Sequence, residues 1–208
     1  DLALKATLAE LRAYWDGLRR AGALPRRQDI QPRGMAGVLS GAFLVERTAP
    51  GVGRLRVAGQ LLGDLLGMDA AGMPLSALFD PMSRTRLGTL LDICLLRPAT
   101  LEMAFTCEAG PGQPALRGRL SVLPIASDGS RGEMGLGVLA LAGAIGRAPR
   151  HLQPIGARTS RIELPRYRRL TSFEEFAAPA MLPQQPAPGR AQVGRRAYPH
   201  LRLVDQQG

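Results

Sequence analysis

Apolar residues recur at steps of four and three near the start of the chain. This spacing places them on one stripe of an α-helix, which we expect to run from about Leu2 to Arg20 and to end at Gly22. Because the helix precedes the predicted sheet, the stripe is a candidate interface for self-association through two heptads. Packing of the helix on its own domain is the alternative. The stripe comprises Leu4, Leu8, Leu11, Trp15 and Leu18.

A stiff, charged segment follows, which we call the joint: LPRRQDIQP, residues 24–32. Pro25 and Pro32 restrict the backbone near both ends, and Pro32 suits the first turn of a short helix. Asp29 is expected to accept hydrogen bonds from nearby backbone N–H groups or from a guanidinium. We therefore predict structural roles for Arg27, Asp29 and Pro32, which would fix the angle between the helix and the next element.

Five strands are predicted from apolar and polar alternation further along the chain. GAFLVER (41–47) and RLRVAG (54–59) form a hairpin, and TLEMAFTC (100–107) alternates cleanly. The last two strands, ALRGRLSVLPI and MGLGVLALA, flank the polar turn ASDGSRGE. Short helices are expected over 60–81, and a firmer helix from about Ser83 to Leu96. The most economical packing is an α+β fold in which a five-stranded antiparallel sheet carries helices on one face.

Charge divides the chain into two parts. Residues 1–146 hold 16 Lys+Arg against 13 Asp+Glu, whereas residues 147–208 hold 11 against 4 and eight of the 17 prolines. We expect a helix over 1–22, a core over 23–146, and a basic, Pro-rich tail over 147–208 that is dispensable for folding. One short helix is predicted in this tail at SFEEF, capped by Ser172 and Glu175.

The composition argues against several kinds of function. Lys5 is the only lysine, and Ala, Gly, Pro and Arg are all abundant. Part of the arginine richness therefore reflects base composition, and nucleic-acid binding is not favoured. The expected core holds no histidine, no nucleophile motif and no phosphate loop. We therefore expect that the protein is not an enzyme and has no catalytic residues. Cys94 and Cys107 are too few for a disulfide scaffold and lack metal-ligand spacing. We expect a cytoplasmic protein without a membrane span or a bound metal.

A set of short motifs occurs in a specific order between roughly residues 8 and 143. The motifs are YW (14–15), LR (18–19), PRRQDIQP (25–32), LSGAFLVE (39–46), RVAGQ (56–60), AGMPLSALF (71–79), RPAT (97–100) and LRGRLSVLPIASDG (116–129). Together they resemble the PAS domain, and more narrowly the family of short bacterial PAS-domain proteins with a Tyr-Trp helix and a P-x-R-x-D-I-x-P motif. Arg56 belongs to this pattern and is expected to be structural. Arg26, Gln28 and Gln60 depart from it.

The resemblance implies a non-catalytic sensory or regulatory module. Haem in PAS domains is commonly held by a histidine, and the flavin-reactive cysteine motif is missing, so no cofactor is expected. A thiolate ligand at Cys94 is the remaining option, but its apolar surroundings favour a structural cysteine.

Two hypotheses about function remain open. In the first, the protein binds a small apolar ligand in the core and signals through a protein partner. In the second, it is a dimeric interaction adaptor with a filled core, which binds itself and an unidentified signalling protein. The ligand cavity of the first hypothesis would be lined by Leu91, Cys94, Met103, Phe105, Leu120 and Val122.

Overall fold

The computed structural model describes residues 2–126 and 133–164. The helices are α1 (Leu2–Leu18), α2 (Gln60–Leu66) and α3 (Arg84–Leu96), with short 3-10 segments at Arg27–Asp29, Pro32–Gly41, Leu75–Leu78 and Pro81–Ser83. The strands are β1 (Ala42–Ala49), β2 (Val52–Ala58), β3 (Ala99–Cys107), β4 (Leu116–Ile125), β5 (Met134–Ala142) and β6 (Gln153–Arg161). The helix predicted at SFEEF lies outside the described residues, as does most of the predicted β4–β5 turn.

All strand pairs form one antiparallel sheet in the order β2-β1-β5-β4-β3-β6. The predicted α+β architecture is confirmed, and so is the N-terminal helix. The strand count is corrected from five to six. The sixth strand arises from residues that the charge pattern assigned to the tail.

The sheet separates two apolar cores. The inner core lies between the sheet and helices α2 and α3, and includes Phe43 and Leu139. The outer core lies on the opposite face under α1, where Leu44 and Val138 meet the helix. Alternation along each strand supplies both cores at once, because successive side chains point to opposite faces.

Residues 147–164 are integral to this fold. Strand β6 pairs with β3 from Ala99↔Arg161 to Thr106↔Gln153 and forms one edge of the sheet. Leu152 is buried in the inner core, and its N–H donates to the carbonyl of Leu78 at 2.8 Å. The domain boundary expected after Gly146 is therefore corrected.

Arg150 is a buried cation held by backbone carbonyls. Its side chain is 2% exposed, and its guanidinium donates to the carbonyl oxygens of Glu108 at 3.1 Å, Pro114 at 2.7 Å and Ile145. Its own N–H donates to the carbonyl of Leu65 at 2.7 Å. A buried charge is tolerated when it is fully hydrogen-bonded, and here the bonds tie the β3–β4 and β5–β6 connections to α2.

Candidate functional site

The six residues predicted to line a ligand cavity are brought together in the inner core. Each is at most 2% exposed, so none of them contacts solvent appreciably. They lie on α3 and on strands β3 and β4, as their spacing predicts. They are Leu91, Cys94, Met103, Phe105, Leu120 and Val122.

Side chains fill the space that glycines leave on the inner face. A Cβ built at Gly118 would lie closer than 3.0 Å to the Phe105 ring, its cross-strand neighbour. A Cβ at Gly135 would lie 2.7 Å from Cγ1 of Val122. Real Cβ atoms do not make such short contacts, so these side chains lie flat against glycine backbone. At these positions the core has no room for even one further methyl group.

Helix α3 is held firmly over this core. The Asp92 carboxylate accepts hydrogen bonds from Nε of Arg47 at 2.7 Å and from the Gly51 N–H at 2.8 Å. A Cβ at Gly88 would lie 2.6 Å from the carbonyl oxygen of Gly51, so the helix and the β1–β2 turn approach backbone to backbone. These contacts keep the helix close to the sheet.

Cys94 is a protonated thiol at neutral pH. Its Sγ donates to the carbonyl of Ala99 at 3.0 Å and lies 3.6 Å from that of Val122. Burial raises the pKa of Cys94 from 9.0 to about 12. Burial also raises the pKa of Cys107, although the nearby charge of Arg150 opposes that shift. In the described part of the chain no three His, Cys, Asp or Glu residues could hold a metal ion.

Cys94 should resist alkylation in the native protein. A thiol that ionises near pH 12 when folded and near 9 when unfolded stabilises the fold below pH 9, and this stability is lost as pH rises towards 12. We expect iodoacetamide at mildly alkaline pH to leave Cys94 unmodified, and to label it in urea. Peptide mass mapping measures the labelling. A Met82→Cys variant, at a side chain 92% exposed, is the reactive control. Equal native labelling at positions 82 and 94 would contradict the assignment.

The predicted α1 stripe packs on the chain's own sheet. Leu4, Leu8, Leu11 and Trp15 are buried in the outer core, and Leu18 is partly buried. The indole N–H of Trp15 donates to the carbonyl of Pro124 at 2.9 Å. Of the two interpretations of the stripe, the structure shows intramolecular packing. A dimer through these side chains would require α1 to leave the sheet.

The joint is anchored from both sides. Tyr14 Oη accepts a hydrogen bond from the Gln31 N–H at 2.7 Å and donates one to the Gln31 carbonyl at 3.1 Å. The Ala126 N–H donates to the Pro25 carbonyl at 2.7 Å, which ties the joint to the end of β4. Asp29 accepts from the Arg26 N–H at 3.1 Å. The Tyr-Trp pair thus links α1 to the joint and to the sheet respectively.

Arg56 and Arg27, two further residues of the predicted structural motif, differ in their contacts. Arg56 pairs with Glu46, a carboxylate that is buried on the outer face of β1. The guanidinium of Arg27 is exposed and makes no hydrogen bond or ion pair with the described residues. No contact of the Arg27 side chain accounts for the structural role predicted for it.

A groove of about 750 Å³ lies on the outer face between the joint and strand β2. We call it the joint groove. It is lined by Arg27, Gln28, Ile30, Pro32, Met35, Leu39, Ser40, Ala42, Phe43, Leu44, Val57, Ala58, Gly59, Gln60 and Leu136. Apart from the joint, no pattern in the sequence predicts this groove, because its walls come from segments that are separate in sequence.

Other grooves of about 670 to 760 Å³ lie elsewhere in the described part of the chain. One of these other grooves is lined in part by Met103. Neither the joint groove nor these other grooves are lined by the remaining five residues predicted to bind a ligand. None of the described helices is long and apolar enough to cross a membrane.

A family model described as PAS domain matches residues 4–140, which span α1 and nearly all of strands β1 to β5. No curated protein matches the chain.

Proposed function

Because the chain belongs to the PAS domain family, and PAS domains are sensory or regulatory modules, we propose that it is a regulatory adaptor that acts through a protein partner. In this proposal its inner core is filled by its own side chains and does not hold a small apolar ligand. This corresponds to the second of the two functional hypotheses.

The packing of the predicted ligand-lining residues supports the proposal most strongly. Phe105 and Val122 occupy the spaces above Gly118 and Gly135, and Leu91 lies in the same way against Gly53. The ion pair between Arg47 and Asp92 ties α3 to the hairpin, so an interior ligand would have to displace side chains that are already well packed.

The chemistry of the described residues also favours a role in binding. Apolar side chains and two cysteines form the inner core, and burial keeps both cysteines protonated. Communication through a partner therefore suits this chain better than chemistry inside it. A self-associating form remains part of the proposal, but through a surface other than the buried stripe of α1.

Native mass spectrometry of protein purified from its own host tests the proposal. We expect no small molecule in the inner core, and in gentle conditions a complex with a second polypeptide. A small molecule retained equally by the wild type and by Val57→Gln, a substitution on the outer face, would place a ligand in the inner core and contradict the proposal. A Phe105→Ala variant, which opens space in the core, is the positive control for uptake of a small apolar molecule.

A further inference from the structure

The joint groove has the composition of a ligand site. Its volume of about 750 Å³ falls within the range of about 300 to 1,000 Å³ that is usual for small-molecule sites. Buried apolar side chains, among them Met35, Leu44 and Leu136, form its floor. Such sites are mostly apolar and carry a few polar groups that orient the ligand.

Two apolar side chains at the rim of the joint groove are about half exposed to solvent. Leu39 is 45% exposed and Val57 is 48% exposed, although they belong to different elements, the 3-10 segment Pro32–Gly41 and strand β2. An apolar chain lying in the groove would cover both of them and remove their exposed area from water.

The wall formed by the joint is fixed before any ligand arrives. The Tyr14 hydroxyl holds Gln31 through both backbone polar groups, and Pro25 is bonded to Ala126 beyond β4. The bond from the Arg26 N–H to Asp29 closes the turn between these anchors. A preformed wall lowers the entropic cost of binding.

The charge of the groove selects the head group of the ligand. Arg27 is the only charged residue among those that line it, and its guanidinium has no partner in the described part of the chain. The amides of Gln28 and Gln60 supply further hydrogen-bond donors. A guanidinium recognises a carboxylate through paired hydrogen bonds, and no lining carboxylate competes for it.

We propose that the joint groove binds an amphiphile with an apolar chain and a carboxylate head, the chain lying across Leu39 and Val57 and the head paired with Arg27. The inference goes beyond the proposed function, since this site lies outside the inner core. Its occupant would bridge the joint and strand β2, and this gives Arg27 a role that no internal contact supplies.

Calorimetric titration with three ten-carbon compounds tests the inference. Decanoate, decanol and decyltrimethylammonium share the chain and differ in the head group, and each is kept below its micelle concentration. We expect decanoate to bind most tightly and decyltrimethylammonium most weakly. Arg27→Gln should weaken decanoate about tenfold and leave decanol unchanged, because only the charge-assisted pairing is lost. Val57→Gln should weaken both compounds.

Matched variants control for general effects. Arg33→Gln removes an exposed arginine just beyond the joint that does not line the groove, and Val52→Gln alters a partly exposed valine on the same strand as Val57. Both should bind decanoate as the wild type does. The inference is overturned if decanoate fails to bind, or binds Arg27→Gln and Val57→Gln unchanged. If decanoate fails to bind, light scattering of Leu39→Gln shows whether the groove is instead an interface. A self-associating wild type that this substitution converts to a monomer would assign the groove to a second copy of the chain.

Discussion

A chain that ends at Gly146 should fail to fold, whereas a chain that ends at Leu164 should melt cooperatively. Comparing these two chains isolates the contribution of residues 147–164, because both chains lack residues 165–208. The expected loss of stability exceeds that of any single substitution, since a whole strand and its buried contacts are removed. It is opposite to the outcome that the charge pattern predicts, namely that residues from 147 onward are dispensable.

Three losses coincide in the shorter chain. Strand β6 no longer pairs with β3, so the backbone N–H and C=O groups on that side of β3 lose their partners. Leu152 leaves the inner core, and a buried leucine removed from a core costs about 2 to 5 kcal/mol. The carbonyls of Glu108, Pro114 and Ile145 lose their hydrogen bonds from the guanidinium of Arg150, and a hydrogen bond to a charged group contributes about 1.5 to 3 kcal/mol. The sum rivals the whole stability of a domain, about 5 to 15 kcal/mol.

Circular dichroism and thermal denaturation of the two chains measure the effect. Within the chain ending at Leu164, Leu152→Ala and Arg150→Ala should each lower the melting temperature, and Ile155→Ser, at an exposed edge position, should not. If the chain ending at Gly146 melts cooperatively within a few degrees of the longer one, β6 is an accessory to the fold and not part of it.

Leu11→Glu should unfold the protein or detach α1 from the sheet. Leu11 is 0% exposed between the helix and the outer face, beside Trp15. The substitution removes the burial of a large side chain and introduces a carboxylate with no partner in an apolar core. Together these changes cost about 4 kcal/mol or more.

Leu2→Glu is the matched control, since it makes the same change on the same helix at a side chain that is 84% exposed. Its melting temperature should equal that of the wild type. Light scattering separates the two interpretations of the stripe. A Leu11→Glu protein that stays fully stable while its mass falls from dimer to monomer would restore the stripe as an interface.

The sequence determined the elements whose pattern is local. The helix predicted from about Ser83 to Leu96 forms at Arg84–Leu96, and the strand predicted at 100–107 forms at Ala99–Cys107. Both follow from periodicity within a single segment, which a helix or strand imposes wherever it packs. The ordered motifs pointed to the PAS family, which the family match confirms, although the individual motif contacts are not tested by that match.

Strand β6 escaped prediction because its conformation depends on a distant partner. Its sequence, QPIGARTSR, is largely exposed and shows no apolar alternation, since an edge strand with few core contacts does not need one. Proline and arginine are both tolerated at an edge, where one row of backbone groups faces solvent. The composition of this segment therefore resembled that of a polar tail, while pairing with β3 decided the structure.

Periodicity likewise determined which side chains share a face but not what covers that face. The stripe of α1 was predicted correctly as a stripe, and only the tertiary structure shows that the chain's own sheet covers it. The six candidate ligand residues likewise lie together in the inner core. Whether space remained between them depended on Gly53, Gly118 and Gly135. Each of these glycines lies on a different element from the side chain that packs against it, so the contact forms only in the folded protein.

The joint groove has the same origin, because its walls are distant in sequence and meet only when the sheet is complete. Local sequence specifies the orientation of side chains along an element, and only the packing of elements determines whether the space beyond them is filled or open.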